Sequence, residues 1–300
     1  MDTEKCKVLL RAVDTGSFTA AAEELGYTPS GITHMMNALE EELGVVLLRR
    51  SRTGVTLTEA GKSLVGTIRR IVVEADRLDE EIGELHGLER GHVAIATGAS
   101  FGRFVLPQVI SRFRERYPNI ILELHEDSSS VRANIAQRRL GLAFLTRQEY
   151  DTDFISLCRD DMLAIVPEGH PLAEKEAVTI EELAAYPYIG MAPEYDRDIE
   201  QIVKSSNGLL KSILTSQDEQ AIIAMVREGL GVSIIAGMHV YFASEGIVSI
   251  PLDPPVYRDV GIVLPPHDVM SPAEKRFVEV AQEVVEELIE DGIVEPSEEE

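Results

Sequence analysis

The stretch that decides the reading runs from Gly16 to Gly61: GSFTAAAEELGYTPSGITHMMNALEEELGVVLLRRSRTGVTLTEAG. Ser17 is a good helix N-cap, and Phe18, Ala21, Ala22 and Leu25 follow at helical spacing until Gly26 stops the turn. Thr28 can cap a second helix whose first position is Pro29, where a missing N–H costs nothing. In that helix Ile32, Met36, Leu39 and Leu43 form an apolar stripe that packs inward, and Gly44 ends it. Ser30, Thr33, His34 and Asn37 fall on another face, with short hydrogen-bonding tips of the kind that reach base edges in a major groove. The segment 47–57 then reads as a two-stranded wing carrying Arg49, Arg50 and Arg52, whose natural partners are phosphates. Candidate DNA contacts are therefore Ser17, Thr28, Ser30, Thr33, His34, Asn37, Arg49, Arg50 and Arg52. An amphipathic bundle with solvated polar faces is the plainer alternative; the helix pair with its basic wing weighs against it.

Of 300 residues, 44% are hydrophobic, enough for more than one core. No uninterrupted apolar run of membrane-spanning length occurs, and the opening MDTEKCKVLL does not read as a signal peptide, so a cytoplasmic location is expected. Cys6 and Cys158 fall in separate expected domains, so a disulfide is not expected, and buried inert thiols are favoured over a redox-sensing role for either. The net charge of −24 is unevenly spread: residues 1–72 hold 9 basic and 9 acidic side chains, and residues 73–300 hold 19 and 43. DNA is thus repelled by the C-terminal body and met only by the neutral N-terminal module, which implies modest, steeply salt-dependent affinity.

Lys5 to Asp14 reads as a helix buttressing the pair. Thr58 caps a long helix to about Leu88, with Leu64, Ile68, Ile71, Ala75, Leu78, Ile82 and Leu85 spaced alternately four and three apart, a heptad seam. Such a helix can pack on its own domain, but seven seam positions without a slip favour a partner helix and a dimer facing two half-sites. From Gly91 the pattern changes to short apolar strands alternating with helices, including an expected single helix from Phe104 to Tyr117. A final helix from Ala273 to about Ile289 folds back, which implies two α/β lobes joined by two crossovers, and the tail EPSEEE reads as mobile.

The residues Gly16-Ser17-Phe18, Ala21-Ala22, Leu25, Leu39-Glu40, Leu43-Gly44, Leu47, Arg50 and Leu57-Thr58-Glu59-Ala60-Gly61 resemble the winged helix-turn-helix of LysR-type transcriptional regulators. Val226 to Val232 and Ser271-Pro272-Ala273 resemble that family's effector domain. The resemblance implies a winged-helix N-terminal domain at 1–61 (helix-turn-helix about 18–37, wing about 47–57) and a linker and dimerisation helix at 58–88. It further implies a two-lobed effector domain like periplasmic solute-binding proteins (type 2) at 91–300, with lobe I at 91–160 and 267–300 and lobe II at 161–266. It also implies dimers or dimers of dimers, and RNA polymerase as a further partner. The chain departs from the family at Arg138-Arg139-Leu140-Gly141, where a Gly-x-Leu-Asp run is usual, and its recognition helix has no Lys or Arg.

A cleft between lobes is the expected ligand site, with Ser100, Ser128, Ser129, Thr146, Ser216 and Ser233 as candidates; a hydroxyl set near helix N-termini suits a small carboxylate, although Ser at a helix start is usually just a cap. No metal-ligand spacing, phosphate loop or nucleophile elbow appears, so neither enzyme, cofactor nor metal is expected. The sequence thus points to a transcriptional regulator binding DNA and a small-molecule effector. The rivals are a binding protein whose helix-turn-helix contacts protein, and an enzyme built on the lobes.

Overall fold

The computed structural model describes residues 2–51, 54–85, 90–125, 131–136, 140–151, 153–193, 195–241, 244–264 and 270–297. The candidates Arg52, Ser128 and Ser129, the helix end near Leu88, and Arg138-Arg139 lie outside them.

The N-terminal module comprises α1 (Thr3–Thr15), α2 (Phe18–Leu25), α3 (Pro29–Leu43), and the antiparallel wing β1 (Leu48–Ser51) and β2 (Gly54–Leu57). Its helix ends are those the sequence marks. Ser17 Oγ accepts the Ala20 N–H at 3.3 Å, Thr28 Oγ1 accepts that of Gly31 at 3.1 Å, and Gly26 and Gly44 take the left-handed conformation at the two C-caps. Ile32, Met36 and Leu39 are buried against Leu9, Ala12, Ala21 and Leu47.

The linker helix α4 (Glu59–Leu85) has two fates along its length. Ile68 and Val72 are buried in the module's own core, and Arg69 reaches Asp14 of α1 at 3.0 Å. Further on, Leu78, Ile82 and Leu85 are exposed, Leu85 by 85%. Of the two arrangements weighed for this helix, packing on its own domain occurs at the N-terminal end, where Ile68 is taken up by the chain's own core, and the far end is left uncovered. Glu80 ties the far end to the next domain, accepting the His92 N–H at 3.2 Å and the Ala273 N–H at 3.5 Å.

The C-terminal body begins with β3 (Gly91–Thr97), α5 (Ala99–Phe104), α6 (Leu106–Arg116), β4 (Ile120–His125), α7 (Val131–Ala136) and β5 (Leu142–Thr146). The helix expected from Phe104 to Tyr117 is α6, begun at Leu106 with Pro107 in its first turn, where a missing N–H costs nothing, and the short α5 ahead of it is an addition to that reading. Next comes β6 (Phe154–Pro167), one continuous strand shared by both lobes: residues 154–161 pair with β11 (Tyr257–Val263), and residues 162–167 with β9 (Ser233–Ala236) and β10 (Ile247–Pro251). Lobe I is thus a sheet in the order β4-β3-β5-β11-β6, with α6 and the last helix α12 (Pro272–Glu290) on one face. Since β11 pairs with β5, residues 257–263 belong to lobe I, and the return crossover precedes Tyr257 rather than lying near Pro266 as expected.

Lobe II carries α8 (Ile180–Leu183), the parallel pair β7 (Tyr188–Met191) and β8 (Ser212–Ser216), α9 (Arg197–Ser205), α10 (Glu219–Arg227) and α11 (Gly237–Val240). Its strands β6 and β9 are sandwiched between α10 (Ile222, Ile223, Val226) and the layer holding Leu183, Ile199 and Ile202. The tail is partly docked: Val294 is buried and the Glu295 carbonyl accepts the Arg159 N–H at 2.9 Å.

Candidate functional site

Two surfaces hold the candidate residues. On the first, the inward stripe of α3 leaves Ser30, His34 and Asn37 exposed on the opposite side. Asn37 Oδ1 accepts from Arg50 Nη2 at 2.6 Å, and the Arg50 guanidinium lies over the Phe18 ring at 5.1 Å, so wing and helix are locked in one register. Arg49 is exposed beside them. Ser17 and Thr28 serve as caps, and Thr33 is half-buried with its hydroxyl donating to the Pro29 carbonyl at 2.9 Å.

A residue not singled out by the sequence reading, Glu40, sets the wing. Its Oε1 accepts the N–H groups of Leu47 and Leu48 at 2.7 and 2.9 Å, which satisfies backbone donors at the start of β1. Two glycines then fix the hairpin. A Cβ on Gly54, whose φ is +128°, would lie 2.5 Å from the Gly16 carbonyl oxygen, and one on Gly61 would lie 2.3 Å from that of Leu47. The apolar side of α3 is therefore buried, its polar side is open, and a guanidinium pair flanks it. The acidic lobes do not cover this side.

The second surface is the cleft between the lobes. At its floor Arg258 of β11 is buried, with Nε and Nη2 donating to Asp160 Oδ2 at 3.0 and 2.9 Å and Nη2 also to Ser100 Oγ at 2.8 Å. Burial alone would lower the Arg258 pKa, but Asp160, Asp196 and Asp198 outweigh it and hold the group above its usual value. Asp160 Oδ1 in turn accepts the Met238 N–H at 3.0 Å. From lobe II, Asp196 at the start of α9 reaches Arg258 at 3.3 Å, and Arg197 reaches the Tyr150 hydroxyl of lobe I at 3.4 Å. Glu219 opens α10, and His239 of α11 sits with Nε2 3.8 Å from Glu219 Oε1.

Burial, reinforced by Asp196, lifts the Asp198 carboxyl above the usual range, and burial lifts that of Glu219. Burial, then Arg258, pushes the His239 imidazole down to about 4, so it is neutral at pH 7.

Of the hydroxyls expected to line this cleft, Ser100 is there but engaged by Arg258, and Thr146 is half-buried facing Asp198. Ser216 closes a local turn with Asp218. Ser233 is a core residue instead: it is 1% exposed and donates to the Ile189 carbonyl at 2.7 Å, because the alternation along β9 turns it toward β7. Asp160, Asp196, Asp198, Glu219, His239 and Arg258 were not foreseen. The paired acids Asp160-Asp161 inside an apolar strand were the available signal.

Both cysteines are buried free thiols; burial, then Asp160, pushes Cys158 up to about 12, and burial raises Cys6, which disfavours the reactive thiolate at each.

Residues 3–62 match the family model of the bacterial regulatory helix-turn-helix protein, lysR family, and residues 86–286 match that of the LysR substrate binding domain. The chain belongs to the LysR family of transcriptional regulators. This LysR-type regulator is 31% identical over 288 residues to the uncharacterized HTH-type transcriptional regulator YvbU of Bacillus subtilis, covering 95% of this chain and 99% of that one. In fold it is similar to full-length OxyR from Pseudomonas aeruginosa, with a TM-score of 0.74 at 21% identity, covering 95% and 97% of the two chains. It is also similar to full-length CbnR solved in complex with its target DNA, with a TM-score of 0.53 at 20% identity, covering 95% and 100%. A winged helix-turn-helix followed by a two-lobed α/β domain is thus the architecture of this regulator. Among the described residues, no helix is long and apolar enough to cross a membrane.

Proposed function

We propose that this LysR-type regulator is a cytoplasmic homo-oligomer, a dimer or a dimer of dimers, that binds operator DNA and answers to a small molecule held between its lobes. Supporting the DNA role is one observation above all: Ser30, His34 and Asn37 stand open beside Arg49 and Arg50, while the other side of the same helix is fully buried. Side chains of this kind read base edges, and guanidinium groups beside them neutralise phosphates. Arg52, Ser17, Thr28 and Thr33 complete the proposed contact set, the last three by positioning the helix. Dimerisation is assigned to the exposed run Leu78, Ile82 and Leu85, with Leu64, Ile71 and Ala75 extending it. Ligand-driven closure of the lobes would change how the two wings are presented.

The test is a gel shift with DNA flanking the chain's own coding region. The triple variant Thr33→Ala, His34→Ala, Asn37→Ala loses the specific complex and keeps weak binding to random DNA. Arg49→Ala weakens both alike and reduces the slope of log affinity against log salt by about one. Equal loss on specific and random DNA in the triple variant refutes base reading by α3.

A further inference from the structure

The cleft between the lobes is built against anions. A helix N-terminus offers N–H groups and a positive dipole end to a negative ligand, but here the chain's own carboxylates hold both places. Asp196 Oδ1 accepts the N–H groups of Asp198 and Ile199 at 2.9 and 3.0 Å at the start of α9, and Asp218 Oδ1 accepts that of Gln220 at 2.9 Å at the start of α10. The Ser100 hydroxyl already accepts from Arg258. What remains is four carboxylates against three guanidinium groups, those of Arg103, Arg197 and Arg258. Asp160, Asp196, Asp198 and Glu219 face Arg258 and Arg103, and Arg132 is spent in a two-toothed pair with Asp151 at 3.0 and 2.8 Å. Arg258 donates to Asp160 and, at 3.3 Å, to Asp196, and it lies 3.9 Å from Asp198.

His239 supplies an independent observation. It is 6% exposed, lies among Glu219, Asp196, Arg103 and Arg258, and its Nδ1 has no hydrogen-bond partner among the described residues. The Glu219 carboxylate, 3.8 Å from Nε2, favours the neutral tautomer with its proton on that side, which leaves Nδ1 as an acceptor. A buried lone pair in this state wants an N–H donor.

We propose that the cleft selects a small organic cation, an amine or a guanidine, whose charge is met by Asp198 and Glu219 and one of whose N–H groups is accepted by His239. The inference rests on the reading of the inter-lobe cleft as the effector site, and it replaces the carboxylate expected from the serines. Burial, joined at Asp198 by Asp196, raises both carboxyls, and a bound cation would favour their charged form.

The test uses the full chain, with agmatine and putrescine as cationic probes and succinate and benzoate as anionic ones, by calorimetric titration and thermal shift. Asp198→Asn and Glu219→Gln are the variants: both are isosteric, Gln keeps an oxygen for the backbone N–H of residue 219 that the Glu219 carboxylate accepts, and circular dichroism checks their fold. Expected is binding of agmatine or putrescine, weakened about tenfold or more in each variant, since a charge-assisted hydrogen bond is lost. No binding of either amine overturns the proposal. Binding of succinate or benzoate instead, strengthened in Asp198→Asn, overturns the charge class and leaves the cleft as the site. Amine binding unchanged in both variants overturns the cation site and the cleft reading together.

Discussion

Replacing Arg258 by Met tests whether the lobes are held by one buried charge. Arg258 and Asp160 have side chains 7% and 2% exposed, and the guanidinium is the group that compensates Asp160, with Asp196 and Asp198 at 3.3 and 3.9 Å. Met fills similar volume but leaves Asp160 with the Met238 N–H as its remaining partner among the contacts described. Breaking one side of a buried pair costs about 3–5 kcal/mol, because the other charge stays desolvated. For a domain of this size each kcal/mol lowers the melting temperature by about 2–4 °C, so the effector-domain transition should fall by roughly 6–20 °C in scanning calorimetry of the full chain. Adding Asp160→Asn should recover about half of this or more: Asn keeps an oxygen for the Met238 N–H and removes the stranded charge. The deficit of Arg258→Met should also shrink from pH 7 to pH 5, as unpaired carboxylates whose folded pKa has risen take up protons that stabilise the folded form. A loss below about 1 kcal/mol, or no recovery in the double variant, would refute the assignment of Arg258 as the centre of the inter-lobe network.

His239 gives the opposite dependence. Its folded pKa of about 4 lies below the unfolded value of 6.5, so its contribution is intact above pH 6.5 and is lost as pH falls toward 4, by about 3 kcal/mol in all. His239→Leu should therefore be relatively more stable than the parent at pH 5 than at pH 7.5, by urea unfolding; a constant difference between the two would contradict the buried neutral ring. Gly54→Ala should displace the wing, since its Cβ meets the Gly16 carbonyl and its backbone is left-handed. We expect a loss of about 1–3 kcal/mol in the module's stability and weaker DNA binding, read by thermal shift and gel shift. Leu78→Asp with Leu85→Asp should convert the oligomer to monomer in sedimentation velocity without lowering the module's melting temperature, because neither residue touches its core; persistence of the dimer would move the interface elsewhere.

The N-terminal module was legible because its signals are local. Ser17, Gly26, Thr28, Pro29 and Gly44 each act on the backbone within a few residues, and each does in the structure what its chemistry implies. The cleft was not legible. Ser100, Asp160, Asp196, Glu219 and Arg258 are scattered over the body and meet only because β6 and β11 run antiparallel between the lobes. Helix α9 escaped notice because Ile199, Ile202 and Val203 are its apolar residues amid a charged run. The serines drew attention as ligand donors, but hydroxyls are as readily used by the chain itself, as Ser233 and Ser216 show.

Glu80 has a wider consequence. By gripping two amides of lobe I from the end of α4, it makes that lobe a chassis fixed to the DNA reader, while lobe II hangs from it by β6 and the return crossover. Under the proposed function, coupling between the cleft and the wing would run through lobe I and the Glu80 contacts, and by linkage it would run in both directions. A regulator cut loose at that clamp would still sense and still bind, but the two acts would no longer know of each other.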